Sequence, residues 1–498
     1  EVEKSTAETK FEYIYTIPSA YFKLACDINL PNLDENKNGN NLSEKDGQRV
    51  ATTFTGGLDG DNHTIKNFQI YEFTSSYSLF YNIKGGAVQT LGSITDDPFY
   101  ARTGIIQNLK LEISKFEKID YKFVDTKIAF FAQNCIGGWI VNCHISLSDD
   151  FSSQSGQKAI IFDYIETSNR IEFAGFVNTL VSVVEEEGLL EGEEPTNKSD
   201  YEFRDARIMN CTANIDVRFT KSITETDYRK EPTIISGIVT NNKGGTIYNC
   251  KNLGDLAGTQ VAGICATVDK VRTFTLVSNV WVESDSKSGT VSGCENDGNL
   301  LCFPTATLGS NNIVSDSGGI VGTLISGNVV YSLNKGTITA QSCESFASSD
   351  YSSYKTTISV GGIVGKFENG NIINCLNVGK FSLESESLNI YYNGQFKSNV
   401  GGIVGTAVGG TMKNSYFDGD INKYLMTDKS VQYNANGNNE ANTESRLATS
   451  NIQGTDLITK KMASDNEIGV TFYDVQFGSR PRFQHQENNY PNLIWDSV

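Results

Sequence analysis

The sequence is poor in the residues on which many catalytic and metal-binding sites depend. It has three histidines among 498 residues, His63, His144 and His485, and none has the H-E-x-x-H spacing of a zinc peptidase. Its 10 cysteines include no C-x2-C pair, so the ligand spacing of a structural zinc site is absent as well. These shortages argue against metallopeptidase and zinc-binding functions.

Long apolar runs and positive charge are also scarce. No apolar segment approaches the roughly 18 residues that a membrane-spanning helix needs. Lysine and arginine number 41 against 59 aspartates and glutamates, for a formal net charge of −18. Nucleic acids and anionic lipids attract basic proteins, so neither is an expected partner. The acidic balance and a first residue other than methionine fit a secreted chain that has lost a signal peptide.

The chain contains five copies of a glycine-rich pattern. Gly-Gly-Ile-Val-Gly occurs at 318–322, 361–365 and 401–405, and weaker copies occur at 236–239 and 261–265. Each copy is followed by a second pattern whose last residue recurs about every 40 residues, at Cys250, Cys294, Ser332, Cys375 and Ser415. A fixed period of this size indicates stacked structural repeats.

Each repeat predicts three short strands separated by Gly and Asn turns, for example 360–365, 371–377 and 380–383. Strands of this kind can close one rung, and stacking rungs pairs every backbone N–H and C=O with the rungs above and below. We therefore expect an all-β fold, a right-handed parallel β-helix (solenoid) of about nine rungs with N- and C-terminal caps. One rung or two rungs per repeat both fit the pattern.

The same pattern divides the chain into four parts. Residues 1–50 form the N-terminal cap with a first strand, 51–423 the repeats, 424–456 a polar excursion and 457–498 the C-terminal cap. Insertions interrupt the repeats, among them 185–202, 269–288, 341–359 and 384–399. We expect them on one side of the rod, where insertions often build a binding face.

Residues at equivalent positions of successive rungs should form ladders. The cysteine ladder comprises Cys211, Cys250, Cys294 and Cys375, and the asparagine ladder comprises Asn210, Asn249, Asn374 and Asn414; Asn252, Asn334 and Asn377 mark a third. Two arrangements fit the cysteines. They are buried thiols, or disulfides between rungs, because adjacent strands lie about 4.8 Å apart.

On the basis of these repeated motifs, the chain resembles the GLUG-motif repeat proteins. The Gly-Gly-Ile-Val-Gly … Ile-x-Asn-Cys-x-Asn-x-Gly pattern carries the resemblance, and 21–30, 54–65, 457–462 and 490–495 are similar to the family's first and last strands. The resemblance implies a secreted or surface-attached protein with a right-handed parallel β-helix. It implies an adhesin-like or scaffold role without one activity, so no functional residue is carried over.

Three sets of residues are candidate binding or modification positions. Asp34, Asn36 and Asn38 begin a Ca²⁺-loop pattern, although its twelfth position is Lys45 instead of an acid. Aromatic residues in or near the insertions suit stacking on sugars or contact with a partner protein, or they cover the rod; they are Trp281, Tyr351, Tyr354, Tyr391, Tyr392 and Phe396. Sequons place candidate glycosylation at Asn41, Asn62, Asn197 and Asn210.

The sequence thus predicts a non-enzymatic extracellular or cell-surface protein, an adhesin or a structural subunit of a filament or coat. Expected partners are other surface or matrix proteins, further copies in a fibre, and glycans, with no cofactor unless Ca²⁺ binds. The alternative is a carbohydrate-binding module or a carbohydrate-active enzyme, a polysaccharide lyase or glycosidase, on the same fold. Such an enzyme needs paired acids, or an acid with Arg or Lys, on an outward strand face.

Overall fold

The computed structural model describes residues 21–32, 53–70, 76–87, 102–116, 126–152, 158–162, 170–182, 205–219, 233–277, 280–302, 312–341, 355–384, 396–422, 446–447, 482–486 and 489–494. Every regular element in these ranges is a β-strand, and most strands pair in parallel. Val321 pairs with Val364, and Val364 pairs with Val404. Each repeat is therefore one rung of a parallel β-helix, which confirms the predicted fold class.

One rung contains five short strands, where the sequence predicts three. In the rung that starts at Lys355 they are Lys355–Gly361, Val364–Phe367, Asn371–Ile373, Leu376–Asn377 and Phe381–Glu384. The predicted strand 371–377 is interrupted because Asn374 has a left-handed φ of 54°. The strand before the glycine pair lies in a segment that the sequence pattern places in an insertion. We call the sheets built by these five strands faces 1 to 5, in chain order.

Successive strands of each face pair in parallel. Face 1 comprises Ser76–Tyr77, Thr126–Ala129, Ile171–Ala174, Thr233–Ser236, Gln260–Ala262, Asn312–Gly318, Lys355–Gly361 and Phe396–Gly401. Face 2 comprises Thr53–Phe54, Phe80–Lys84, Ala132–Ile136, Val177–Val181, Val239–Lys243, Cys265–Val277, Val321–Leu324, Val364–Phe367 and Val404–Ala407.

Face 3 comprises Tyr21–Lys23, Gly57–Asp59, Ile105–Gln107, Trp139–Val141, Arg207–Met209, Thr246–Tyr248, Val280–Ser292, Gly327–Val330, Asn371–Ile373 and Thr411–Lys413. Face 4 comprises Ile28–Asn29, Thr64–Ile70, Lys110–Phe116, His144–Ser152, Thr212–Asn214, Lys251–Asn252, Glu295–Asn296, Leu333–Asn334, Leu376–Asn377, Tyr416–Asp418 and Arg446–Leu447. Face 5 comprises Ile160–Phe162, Val217–Phe219, Leu256–Gly258, Leu300–Cys302, Ile338–Gln341 and Phe381–Glu384. The strands of face 3 span about 43 Å at the spacing of parallel strands.

Among the described strands, three antiparallel pairs lie beside the coil. Cys265–Val277 and Val280–Ser292 continue beyond faces 2 and 3 as a hairpin, and Gly86–Ala87 pairs with Arg102–Thr103. Near the C-terminus, Arg482–Gln486 pairs with Asn489–Ile494. Tyr490 and Leu493 of this hairpin pack against Leu333, Leu376 and Tyr416, and Tyr490 donates a hydrogen bond of 2.8 Å to Asp418. The last hairpin therefore covers part of face 4.

The core is a continuous stack of apolar side chains inside the coil. Ile320 N–H donates to Ile363 O at 3.0 Å, and Ile363 N–H donates to Ile403 O at 2.9 Å. These three side chains are at most 2% exposed. Burying each isoleucine stabilises the fold by about 1.5–3 kcal/mol, so the repeated Ile of the motif supplies both a core side chain and a rung-to-rung hydrogen bond.

Insertions occur at two corners of the rung, and the sequence predicts that they lie on one side of the rod. Residues 303–311, 342–354 and 385–395 connect face 5 to face 1, whereas 183–204 and the hairpin at 269–288 connect face 2 to face 3. The repeat pattern shows that extra residues separate two copies of the motif. It does not show at which corner of the rung those residues leave the coil. Both corners border the same surface, because faces 1 and 2 lie between them.

Candidate functional site

The glycines of the repeated motif form a tight corner between faces 1 and 2. A Cβ on Gly318 would lie 2.8 Å from Gly365 N, and one on Gly405 would lie 2.5 Å from Val360 N. Real Cβ atoms do not come this close to backbone, so the first and last glycines let the two faces touch. The middle glycine faces inward, where a Cβ on Gly319 would lie 2.5 Å from Asn334 Cγ.

That inward asparagine belongs to a ladder of buried amides. Each Nδ2 donates to the Oδ1 of the next rung at 2.8 Å, in the order Asn252, Asn296, Asn334 and Asn377. All four side chains are 0% exposed. Asn334 Nδ2 also donates to Gly336 O at 3.1 Å, which explains the Asn-x-Gly part of the repeat. The predicted ladder lacks Asn296, although Asn296-Asp297-Gly298 carries the same signal.

The cysteine positions form a second stack on face 4's side of the core. Every cysteine of the described residues is a free thiol, and all of them except Cys26 are buried. Cys375 Sγ donates to Ile373 O and Val329 O, each at 3.4 Å, while Ser332 fills the equivalent place with a bond of 3.0 Å to Val330 O. Burial raises the pKa of Cys375 to about 12. The cysteine ladder therefore consists of buried thiols, and no disulfide joins the cysteines that the structure describes.

Native protein treated with a thiol reagent should therefore be labelled at Cys26 and not at Cys211, Cys250, Cys294 or Cys375. The reason is that the reagent needs an accessible thiolate, which burial denies. The measurement is mass-spectrometric mapping of labelled peptides before and after denaturation. Labelling of the four positions at the rate of Cys26, or their failure to react in denaturant without reductant, would contradict this arrangement.

The predicted asparagine ladder lies at the corner between faces 3 and 4, and it is interrupted. Asn249 Nδ2 donates to Asn210 Oδ1 at 2.7 Å, but Gly293 and Tyr331 occupy the next two rungs. What the corner positions share is a left-handed backbone, with φ of 55° at Asn210, 49° at Asn249, 58° at Gly293, 51° at Tyr331, 54° at Asn374 and 47° at Asn414. Asparagine tolerates this conformation better than other side chains, so backbone geometry accounts for these residues.

On the outer side of face 2, one polar residue per rung forms a file that runs along the rod. Its members pair in register from strand to strand, and eight of the nine are uncharged. Eight are partly exposed and Thr323 is 9% exposed. We call this set the face 2 file: Thr53, Asn82, Asn134, Thr179, Asn241, Thr267, Thr323, Lys366 and Thr406.

Face 1 side chains meet this file across the corner. Thr323 Oγ1 donates to Asp316 Oδ2 at 3.3 Å and accepts from Gln260 Nε2 at 3.4 Å. Ser359 Oγ and Thr406 Oγ1 share a hydrogen bond of 2.8 Å. Outward side chains of two faces can contact one another only where the surface is concave. We call the face 2 file together with Gln260, Asp316 and Ser359 the outer trough.

Asp316 is the carboxyl group at the bottom of the outer trough. It is 9% exposed, and its Oδ1 is buried without a hydrogen-bond partner. Burial raises its pKa to about 6, and the charge of Lys366 and the hydroxyls of Ser359 and Thr323 only partly oppose this. Lys366 is itself paired with Glu368 at 2.7 Å.

Asp316→Asn should stabilise the protein at about pH 8 by about 2 to 3 kcal/mol. The folded-state pKa is raised from 3.8 to about 6. Its contribution to stability is therefore fully present below the unfolded value and is lost as the pH rises through the folded value. Urea unfolding of both proteins across the acid and neutral range measures the difference, which should vanish at about pH 3. If the Asn variant were no more stable than wild type at about pH 8, the claim that burial raises the pKa of Asp316 would be wrong.

The aromatic and calcium candidates lie mostly outside the described residues. Trp281 lies in the hairpin, where its backbone pairs with Leu276, and Phe396 begins a face 1 strand and pairs with Thr356. Outside the described residues lie Tyr351, Tyr354, Tyr391, Tyr392, Asp34, Asn36 and Asn38, together with the sequon residues Asn41 and Asn197. Of the described sequon residues, Asn62 is exposed, whereas Asn210 is half-buried in the corner between faces 3 and 4.

The structure also brings together a charged cluster on face 4 that the sequence pattern does not reveal. Lys251 Nζ lies 2.9 Å from Glu295 and 2.7 Å from Asp297, and Lys335 Nζ lies 2.7 Å from Glu295. Burial raises the pKa of the Glu295 carboxyl, but hydrogen bonds with Asp297 and the two lysines outweigh it and hold the pKa below its usual value. The two acids and two lysines balance each other, which is typical of a stabilising ion network. The part of the chain that the structure describes holds no group of three or more His, Cys, Asp and Glu arranged for a metal.

Comparison with known proteins supports the repeat assignment. The family model of the GLUG motif matches residues 398–422, which confirms the resemblance in that stretch. These residues contain the glycine corner at 401–405 and the strands Val404–Ala407, Thr411–Lys413 and Tyr416–Asp418. No curated protein and no solved structure matches the chain. A helix with the length and apolar character to cross a membrane does not occur in the described ranges.

Proposed function

We propose that the protein is a non-enzymatic extracellular surface protein of the adhesin type. The GLUG motif supports a repeat scaffold of extracellular type. The observation that carries the proposal is the outer trough, in which nine successive rungs present one Asn, Thr or Lys each, and in which the surface is concave where face 1 side chains contact Thr323 and Thr406. A surface that repeats one chemistry along a rod is suited to holding an extended partner.

The charged groups of the outer trough and of face 4 favour binding over catalysis. Asp316 is the acid of the outer trough, and its Oδ1 is enclosed, so a substrate could reach it only if the corner opened. On face 4, the carboxylates of Glu295 and Asp297 form ion pairs with Lys251 and Lys335. General acid–base catalysis on a glycan needs two carboxyl groups that flank the bond to be cleaved. Asp316 is the one acid of the outer trough, and the two acids of face 4 are engaged by lysines.

Location on intact cells tests the proposal. Antibodies against the protein should label unpermeabilised cells that produce it, external protease should remove the label, and the treated cells should adhere less to their substratum. Label found within the cytoplasm, or adhesion unchanged after complete removal, would refute the adhesin role. Label in continuous fibres would instead favour a filament or coat subunit.

The enzymatic alternative has a separate test. Purified protein should release no reducing ends and no unsaturated products from neutral or acidic polysaccharides during prolonged incubation. Release of either product, if abolished by changing Glu295 or Asp316 to the amide, would establish a carbohydrate-active enzyme instead.

A further inference from the structure

We infer that the outer trough binds a neutral, linear polysaccharide that lies parallel to the rod axis, with successive sugar residues hydrogen-bonded to successive rungs of the face 2 file. This inference rests on the proposed function, because it names the ligand class of the same surface. It also names the residues that contact the polysaccharide and states that the polymer lies along the rod.

The first argument is the chemistry of the file. Thr179, Asn241 and Thr267 are consecutive members, and all three are partly exposed. Threonine hydroxyls and asparagine amides both donate and accept hydrogen bonds, as sugar hydroxyl groups require. Apolar side chains and carboxylates, which would suit a protein or a cation, do not occur in the file.

Strand propensity alone does not explain this composition. Threonine is common in strands, but asparagine is depleted there, and three of the nine members are asparagines. The neighbouring faces share the same rungs and the same coil but are less uniform. Face 3 carries a shorter file of the same type, Thr246, Thr290, Asn328, Asn371 and Thr411, which changes to Arg207, Trp139 and Ile105 in the preceding rungs. Its other file contains Met209, Tyr248 and Lys413, and face 4 has Glu295 and Leu333 as register partners.

The second argument is the period. Neighbouring members of the file lie about 4.8 Å apart, and the whole file spans about 38 Å along the rod. A linear polysaccharide also repeats the same hydroxyl groups at a short, constant step along its axis. The rungs of Thr179, Asn241 and Thr267 can then each make the same weak contact, whereas Thr323, Lys366 and Thr406 are already bonded within the protein. Affinity grows with the number of rungs occupied, as in multivalent binding.

The third argument is charge, which selects neutral over acidic polymers. The chain has a net charge of −18, so an acidic polysaccharide would be repelled at long range. Within the trough, the single positive member of the file, Lys366, is paired with Glu368 at 2.7 Å. The carboxyl of Asp316 adds further negative charge above its pKa of about 6.

Affinity electrophoresis of the full chain through gels that contain hydroxyethyl cellulose, mannan or polygalacturonate tests the inference. The test variant combines Thr179→Val, Asn241→Leu and Thr267→Val. The matched control combines Thr212→Val, Thr246→Val and Thr411→Val, which are partly exposed threonines of faces 3 and 4. Circular dichroism melting of each variant establishes that the fold is intact.

Wild type should be retarded by at least one of the two neutral polymers and not by polygalacturonate. The test variant should bind at least about tenfold more weakly, since three rungs lose their hydrogen bonds, while the control should stay within about twofold of wild type. Absence of retardation by both neutral polymers, stronger retardation by polygalacturonate, or equal binding by the test variant would overturn the inference. The location of the protein on cells is measured independently of polysaccharide binding. Failure of the binding experiment would therefore overturn this inference but not the proposed surface role.

A second measurement on the wild-type protein does not depend on any variant folding. Calorimetric titration should show tighter binding of cellohexaose than of cellobiose, or of the corresponding mannose oligomers if mannan is the polymer bound. Equal affinity for the short and long oligomers would contradict a ligand that lies along several rungs.

Discussion

Gly319→Ala is expected to lower the free energy of unfolding by more than about 4 kcal/mol, enough to prevent folding of many domains. The added Cβ would lie 2.5 Å from Asn334 Cγ on one side and against the backbone carbonyl of Gly362 on the other. Neither neighbour can move, because one belongs to the buried ladder and the other to the next rung. The loss should be visible as a fall in the urea midpoint followed by circular dichroism.

Gly409→Ala provides the control for this glycine. A Cβ at Gly409 would approach one atom, Glu368 O, at 2.9 Å, and Gly409 is only partly buried. We expect a clearly smaller loss than at Gly319, about 1 to 2 kcal/mol, because only this one backbone contact has to widen and it lies in a turn at the surface. Equal effects at Gly319 and Gly409 would mean that Gly319 is not packed against the buried ladder and the next rung.

Asn334→Ala should lower the free energy of unfolding by about 3 kcal/mol or more. It removes the donor to Asn377 Oδ1 at 2.8 Å and to Gly336 O at 3.1 Å, and it takes away the acceptor of Asn296 Nδ2. Bulk solvent does not reach these fully buried amides and therefore cannot replace the lost bonds. Thermal and urea unfolding of the purified variant measure the loss.

Asn371→Ala is the matched control on the outer surface. Asn371 Nδ2 donates to Asn328 Oδ1 at 2.8 Å, the same bond at the same distance, but Asn371 is partly exposed. Solvent can replace this bond, so the expected loss is about 1 kcal/mol or less. If both alanine variants lost the same stability, burial of the ladder could not be the source of its contribution.

The repeated strings are sufficient to predict the solenoid, but not all of its strands. Gly-Gly-Ile-Val-Gly recurs because each of its glycines touches a neighbouring rung, and that constraint is visible in the sequence. The face 1 strand Asn312–Gly318 has the composition of an insertion, because Asn, Ser and Asp, which favour turns, make up most of it. Its extended form comes from seven pairs with the strand Lys355–Gly361, which no local pattern reveals.

The outer trough escapes prediction for a related reason. Thr179, Asn241 and Thr267 become neighbours only after insertions of different length have been looped out of the coil. A single polar residue in each rung gives no periodic signal when the spacing between members is uneven. The raised pKa of Asp316 likewise depends on burial that only the folded chain produces, where Ser359 and Lys366 of the next rung come to lie beside it.

The most direct test of this account is disulfide trapping between members of the face 2 file. In a background that carries Cys26→Ser and Cys343→Ser, Thr179→Cys combined with Asn241→Cys joins register partners of adjacent rungs, whereas Thr179→Cys combined with Thr267→Cys joins positions two rungs apart. Parallel strands about 4.8 Å apart allow a disulfide, and twice that distance does not. Mild oxidation and peptide mapping should find the cross-link in the first pair and not in the second. A cross-link in the second pair, or none in the first, would contradict the stacking of one rung per repeat from which the outer trough is built.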